Sequence, residues 1–341
     1  MDELIFFGND MGAGANKLCG PQGGLQLLST VATDDGRTLA RMPGLTCRRP
    51  PLRVRTLNGS FYVGPAAHDW GRPVENLDYD RFSGSPELVA LFYGAFSRYL
   101  GQHGPLHHPI HLTVGLPVGT LSGPPDQVSA TVHSARRWLK GTHAWEADGK
   151  PYALTIQEVR VTSQPVGALF DFLLDDDGSF LPRRKRLFKK EIGIISVGMN
   201  TVELLAVRAG APLPRFTAGH TVGVRRLLEL LNPDGLYSLG ELDALLRAGR
   251  LDTAQALPVW AREVTGFIER RWGSAARRFA AVLVVGGGAL LLRDILLPRF
   301  EGRAFVPDDP VLSTARGLYK FSLLQARRRR RRARAQGEER A

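Results

Sequence analysis

The sequence is poor in cysteine: 341 residues contain only Cys19 and Cys47. Two cysteines are too few for a disulfide framework or a cysteine-based zinc site, and they fit a reducing, cytoplasmic setting. No run of about 18 apolar residues occurs, so no membrane-spanning helix is expected. The opening Met1-Asp2-Glu3 offers no basic stretch and no long apolar segment follows, so no secretory signal is expected either. Neither the Gly-x-Gly-x-x-Gly fingerprint nor the P-loop signature is present, which argues against a Rossmann or Walker nucleotide site. Ser29, Ser163 and the histidines form no nucleophile elbow. No solenoid period of 20 to 50 residues is seen.

What is present is a chain with 43% hydrophobic residues, enough for a sizeable core, and a formal net charge of +12. That charge is unevenly placed. Seven arginines fall in residues 327–334, beginning at Arg327 and ending at Arg334, and without them the excess is mild. A second basic cluster is Arg183-Arg184-Lys185-Arg186 with Lys189 and Lys190. Blocks of like charge are commonly solvated and disordered, and 327–341 is expected to be a disordered tail. Its functional reading is electrostatic contact with DNA or an anionic surface. No aromatic residue is interleaved there, so contact with nucleic acid would be led by phosphates.

Periodicity gives an α/β plan stated twice. Strands are expected at 4–7, 52–63 (two strands about Asn58-Gly59, a strong hairpin signal), 110–116 and 152–162. Helices are expected at 85–100, with Ser85 as N-cap and Pro86 in the first turn, at 125–140 and at 165–174. Residues 175–191 are polar and flip from acidic to basic, which marks a crossing between two lobes. A strand pair at 192–197 and 202–207, helices at 222–231, 240–248 and 258–272, a strand at 281–285 and a last helix from Ser313 to about Arg330 complete the plan. The domains so divided are a first lobe, 1–180, a second lobe, 181–326, and the tail.

Each half opens with an apolar strand that meets a glycine turn. The first turn reads Asp10-Met11-Gly12-Ala13-Gly14-Ala15-Asn16-Lys17, the second Ser196-Val197-Gly198-Met199-Asn200-Thr201, and a third is Gly286-Gly287-Gly288. Glycines let backbone N–H groups approach phosphate oxygens, and two opposed turns can close on a polyphosphate. Lys17 can reach phosphates as a point charge. Asp10 can sit beside phosphates only with a cation between them, which implies Mg²⁺ held through water. Taken singly, each turn is more often only a tight turn; the three in this order are more specific.

These stretches resemble the actin superfamily. Asp10 to Lys17 matches the D-x-G-x-G-x-x-K of the phosphate-1 turn; Val197 to Thr201 sits where phosphate-2 belongs; Val284 to Leu292 resembles the adenosine motif. Gln164, at the head of a helix, resembles the water-positioning residue of the connecting segment. Val63-Gly64-Pro65-Ala66-Ala67, Leu116-Pro117, residues 217–222, Tyr237-Ser238-Leu239-Gly240-Glu241 and the stretch from Asp309-Pro310 to Leu318 are closer to bacterial plasmid-segregation actins of the ParM/StbA type. The resemblance spans roughly residues 4–322. It implies a duplicated, ribonuclease H-like two-lobed α/β fold with an ATP cleft between lobes, and filaments coupled to nucleotide state. It implies that Asp10 arranges magnesium-bound water, that Gln164 orients the attacking water, and that Gly12, Ala13, Gly14, Asn16, Lys17, Gly198, Met199, Asn200, Thr201, Gly286, Gly287 and Gly288 hold ATP. The implied partners are further copies of the chain and an adaptor protein on centromere-like DNA.

The sequence departs from that pattern in phosphate-2. Ser196 stands where an acidic residue opens the turn, Met199 where a glycine is usual, and Glu203 where an Asp closes it. ATP binding is therefore better supported than fast hydrolysis, and a non-hydrolysing ATP-binding scaffold is a competing reading. A small-molecule kinase on the same fold is a second competitor, although no sugar motif is recognisable. Four histidines, His103, His107, His108 and His111, could in principle hold a metal, but a solvated loop is the better reading. Asp175-Asp176-Asp177-Gly178 starts like a calcium loop and fails beyond it, leaving a polar turn. Trp260, Val264, Phe267, Ile268 and Trp272 form a helical stripe that reads as core.

Overall fold

The apolar run at the start forms strand β1 (Ile5–Met11), which extends past the expected end at residue 7 and carries Asp10 inside the strand. The computed structural model describes residues 4–37, 42–46 and 48–338; Met1 to Glu3, residues 38–41, Cys47 and residues 339–341 of the tail lie outside the described residues. β1 turns sharply into β2 (Ala15–Gly20), and β3 (Gly23–Leu28) and β4 (Val31–Thr33) follow. The Asn58-Gly59 signal corresponds to the hairpin of β5 (Leu52–Thr56) and β6 (Gly59–Val63), and β7 (Arg72–Pro73) is a short edge. Helix α1 (Pro86–His103), β8 (Ile110–Leu116), helix α2 (Pro125–Leu139), β9 (Gly141–Ala147) and β10 (Lys150–Ser163) complete the first lobe's sheet. Its strand order is β3-β2-β1-β8-β10-β9-β5-β6-β4-β7.

Central β1 is antiparallel to β2 and parallel to β8, so its alternate residues are buried on both faces. Phe7 and Met11 are fully buried and join Phe92, Phe96 and Tyr99 of α1 in one core. The Phe7 and Tyr99 rings meet edge-on at 5.0 Å.

Helix α3 (Gln164–Leu173) leads out of the first lobe, and α4 (Pro182–Lys185) lies in the crossing segment. The second sheet is built on β11 (Glu191–Val197), β12 (Val202–Arg208), β13 (Ala211–Pro212), β14 (Ala218–His220), β15 (Ala281–Val285) and β16 (Ala304–Phe305). Its order is β13-β12-β11-β15-β16, with β14 paired to β12. Helices α5 (Val224–Leu230), α6 (Leu239–Arg247), α7 (Ala256–Trp272) and α8 (Gly287–Leu296) accompany it. The stripe on α7, from Trp260 to Trp272, is core, as its spacing indicates.

The two sheets are joined through α3 and the last helix, α9 (Ser313–Glu338). α3 buries Ala168, Leu169 and Leu173 among Ile192, Ile194 and Leu205 of the second sheet. α9 packs on β1, β2 and β8 of the first sheet and on α3. The helices touch through backbone: a Cβ on Gly317 would lie 1.7 Å from the Gly167 carbonyl oxygen, and one on Gly8 of β1 would lie 2.2 Å from that of Ala315. Ionic contacts reinforce this junction. Arg316 donates from Nε and Nη2 to Asp171, each at 2.7 Å, and Lys320 Nζ lies 3.2 Å from the same carboxylate.

Two expectations change. The last helix does not stop near Arg330, nor is the chain disordered from residue 327; it stays helical through Glu338. Arginine is a good helix former, and the run is tied to the first lobe where Arg327 donates to Ser179 Oγ and Arg329 Nη1 to Glu158 Oε2 at 3.1 Å. This helix packs on α3, β1, β2 and β8, and its Leu324 joins the core beside Ile192 and Leu205 of the second sheet. His111 is no solvated loop residue: it is buried inside β8, its Nδ1 3.0 Å from Glu158 Oε2. Asp175 Oδ1 accepts from the backbone N–H groups of Asp177 and Ser179, so the acidic triplet closes a turn.

Candidate functional site

The β1–β2 hairpin register sets Asp10 directly opposite Lys17. Lys17 Nζ lies 2.9 Å from Asp10 Oδ2, and Gln164 Nε2, from the head of α3, donates to Asp10 Oδ1 at 2.8 Å. Two residues singled out in the sequence, Lys17 and Gln164, thus converge on the carboxylate of a third, Asp10, which is only 4% exposed. The turn between them is held from outside: Ser29 Oγ donates to the Gly12 carbonyl at 2.7 Å, and Arg81 Nη2 to that of Met11 at 2.9 Å.

The second turn joins β11 to β12. Gly198 N–H donates to the Thr201 carbonyl at 2.9 Å, and the N–H groups of Val224 and Arg225 at the start of α5 donate to Gly198 and Met199 at 3.0 and 2.7 Å. It faces the first turn closely: a Cβ on Gly14 would lie 2.8 Å from Met199 Cβ. Met199 therefore narrows the space between the turns, as expected of a side chain where glycine is usual. Asn200 Nδ2 crosses to the Leu77 carbonyl at 3.4 Å.

Ser196 on β11 pairs with Glu203 on β12. Glu203 is 1% exposed; its Oε1 accepts from Val118 N–H of the first lobe at 2.8 Å and its Oε2 has no partner. Burial pushes this carboxyl up to about 8, opposed by the Val118 hydrogen bond and aided by the charge of Asp10. A second carboxyl is thus retained behind Ser196, but in neutral form at pH 7.

The third turn opens α8. Gly286 has φ of +91°, a conformation that favours glycine. A Cβ there would meet the Val197 carbonyl oxygen at 2.4 Å, and one on Gly288 would meet Val197 Cγ1 at 2.3 Å, so both let α8 close on β11. Only Gly287 faces open space. The N-terminus of α8, with its unpaired N–H groups and positive dipole end, opens on the same cleft.

Together these parts enclose a cavity of about 250 Å³ between the lobes. Asp10, Gly12, Ala13, Gly14, Lys17, Gln164, Gly198, Met199, Asn200, Thr201, Gly286, Gly287 and Gly288 all line it. Asn16 does not: its buried side chain accepts from Asn9 Nδ2 at 2.6 Å and donates to the Leu91 carbonyl at 3.2 Å, facing the lobe interior. The alternation of strand side chains explains this, because Lys17 and Asn16 are neighbours on β2 and point to opposite faces. Arg81, Asp243 and Arg247 also line the cavity and have no local motif in the sequence. The lobes are tied again at the mouth, where His68 Nδ1 lies 2.8 Å from Ser238 Oγ and Leu239 N–H donates to Glu75 Oε1 at 2.9 Å.

Residues 8–167 match the family model described as the N-terminal domain of actin-like proteins. No curated protein sequence matches the chain. Solved structures match over nearly the full length. The actin-like protein Alp7A aligns with a TM-score of 0.73 at 16% identity, covering 98% of this chain and 100% of its own. A 15-stranded ParM filament from Clostridium botulinum aligns at 0.69 and 18% identity, covering 94% and 99%. Ta0583, an archaeal actin homologue in complex with ADP, aligns at 0.68 and 16% identity, covering 94% and 99%. The duplicated α/β architecture with a cleft between lobes is that of these proteins.

Proposed function

We propose, from the premise that this chain has the actin-like fold throughout and an actin-like N-terminal domain at residues 8–167, that it binds ATP between its lobes and assembles with copies of itself into filaments. The observation that carries the reading is the convergence of Lys17 and Gln164 on Asp10 beneath two glycine turns that face each other across a cavity. The fit to a polyphosphate rests on those turns: Gly12 and Gly14 have no room for side chains, and the α8 N-terminus opens on the same space. Mg²⁺ fits beside Asp10, whose charge is tenable next to phosphates only with a cation between them. Bound Mg-ATP would supply the scissile phosphoanhydride and the charge neutralisation.

Under this reading Lys17 and the backbone N–H groups of the first two turns hold the β- and γ-phosphates. Gln164 would orient the attacking water, and Asp10, which accepts from Gln164 Nε2, would keep that side chain in place and be the residue that holds Mg²⁺. Catalysis of this kind is positioning and electrostatics, with no covalent intermediate. One observation favours slow turnover, or a scaffold that binds without hydrolysing: Ser196 carries no charge, and Glu203 behind it holds its proton at pH 7. The filament would segregate DNA through an adaptor protein on a centromere-like site. The exposed arginines 327–332 on α9 add direct contact with DNA phosphates.

Calorimetric titration with Mg-ATP tests the nucleotide part. Saturable binding is expected, with loss of affinity in Lys17→Ala; heat-free titrations at all concentrations would contradict it. Phosphorylation of any member of a sugar panel would turn the reading to a kinase.

A further inference from the structure

α6 spans the mouth of the cleft. Its N-cap Ser238 is fixed by a capping box with Glu241 and by its contact to His68, and the next residue, Leu239, donates its N–H to Glu75 of the first lobe. Its last turn carries Arg247 to the edge of the first glycine turn: Arg247 Nη2 lies 3.8 Å from where a Gly14 Cβ would stand. Arg247 Nε donates to Asp243 Oδ2 at 2.7 Å, and Asp243 is 5% exposed in the cavity wall. Among the described residues no group accepts a hydrogen bond from the two Nη nitrogens of Arg247. One edge of a planar, five-donor guanidinium is thus held, and the other, on a side chain 36% exposed, faces the open side of the cavity.

A second observation says what the cavity lacks. Arg81 lines the same space, is 7% exposed and donates to the Met11 carbonyl, yet no carboxylate lies in ion-pair range among the described residues. A buried guanidinium without a counter-ion is costly, and burial lowers its pKa to about 10. Among the described residues, Lys17, Arg81 and Arg247 face only Asp10 and Asp243 in the wall of this cavity, and the excess of one positive charge favours an anionic occupant.

We propose that Arg247 is a phosphate-binding residue that reaches from the second lobe to the polyphosphate of a bound nucleotide with its free Nη edge, while Asp243 holds its Nε edge. The proposal rests on the ATP-binding reading above and extends it from the glycine turns to the far lobe. Arg247 reads the β- and γ-phosphates, because it stands at Gly14 on the phosphate-1 turn. Asp243 fixes the guanidinium by its Nε edge and leaves both Nη nitrogens to the ligand. Arg247 therefore links nucleotide occupancy to the position of α6, the helix that bridges the lobes at the mouth.

The test is calorimetric titration of the full chain with Mg-ATP, Mg-ADP and AMP, in wild type, Arg247→Gln, Arg247→Lys and Asp243→Asn. Arg247→Gln is expected to weaken ATP roughly tenfold or more, the effect of removing a charge-assisted hydrogen bond to phosphate, and to leave AMP unchanged. Arg247→Lys should recover part of that affinity. Asp243→Asn keeps an oxygen that can accept from Nε and leaves the Nη edge free, so ATP affinity should stay within about threefold of wild type. A structural brace would behave differently: Asp243→Asn would then weaken ATP as much as Arg247→Gln does, and the proposal would fall. Equal ATP affinity in wild type and Arg247→Gln would also overturn it while leaving the ATP-binding reading intact. A wild type that binds no nucleotide removes both.

Discussion

Glu203→Gln gives a sharp test of the electrostatics behind the second glycine turn. Gln keeps the shape and the carbonyl oxygen that accepts from Val118, and the buried Oε2 position is already without a partner. What changes is the proton. The folded-state pKa of Glu203 is raised from 4.5 to about 8. Between those values the unfolded chain has released the proton and the folded chain still binds it, so stability falls as pH rises through that window. At pH 7 the difference amounts to about 3 kcal/mol against the fold. Glu203→Gln is neutral at every pH and escapes the penalty. Thermal unfolding followed by circular dichroism across pH 5 to 8 should show similar midpoints near pH 5 and a growing advantage for the variant above it, on the order of 5 °C at pH 7. A difference that is flat with pH, or a wild type that gains on the variant as pH rises, would refute a neutral buried carboxyl at this position.

Other expectations follow from single contacts. Gly317→Ala places a methyl 1.7 Å from the Gly167 carbonyl oxygen, must push α3 off α9, and should lower stability by about 3 kcal/mol or more in denaturant unfolding. Gln164→Ala removes the donor to Asp10 Oδ1; ATP affinity should persist while single-turnover hydrolysis falls about a hundredfold or more. Truncation after Arg329 leaves the ties of Arg327 and Arg329 to the first lobe in place. The melting temperature should hold, while the salt dependence of binding to duplex DNA drops by about one in slope for each arginine–phosphate pair removed. An unchanged slope would release the arginine run from any DNA role, and retained binding to anionic vesicles alone would reassign it to a lipid surface.

The residues legible in the sequence are those whose chemistry is local. Asp10, Gly12, Gly14 and Lys17 sit within one hairpin, so their spacing already states that they meet, and Gln164 stands at a helix start that brings it to the same strand end. The long strands and helices are legible because their burial follows one period, as in β8, which is buried throughout, and in the α7 stripe. The short strands β2 and β3 are not, because the stretch 12–24 is rich in glycine, which weakens any strand pattern. Asn16 differs from its expected place by one step of strand alternation. Arg81 and Arg247 carry no signal at all: one lies in a short 3-10 helix, Tyr79–Ser83, before α1, the other at the end of α6, and only the closing of the lobes brings them to one cavity. The neutral state of Glu203 also belongs to the fold, since it depends on burial and on a hydrogen bond from a residue 85 positions away. The helical state of residues 327–338 is hidden for the opposite reason, because charge repulsion reads as disorder until contacts to Ser179 and Glu158 are known.

The central claim is that the cleft between the glycine turns couples ATP to self-assembly. Right-angle light scattering of the purified full chain, over a micromolar concentration series after addition of Mg-ATP, tests it most directly. The account predicts a rise above a critical concentration that is absent without nucleotide and abolished in Lys17→Ala, followed by slow decay as ATP is consumed. A signal that never rises at any concentration, or that rises equally without nucleotide and in Lys17→Ala, would contradict it.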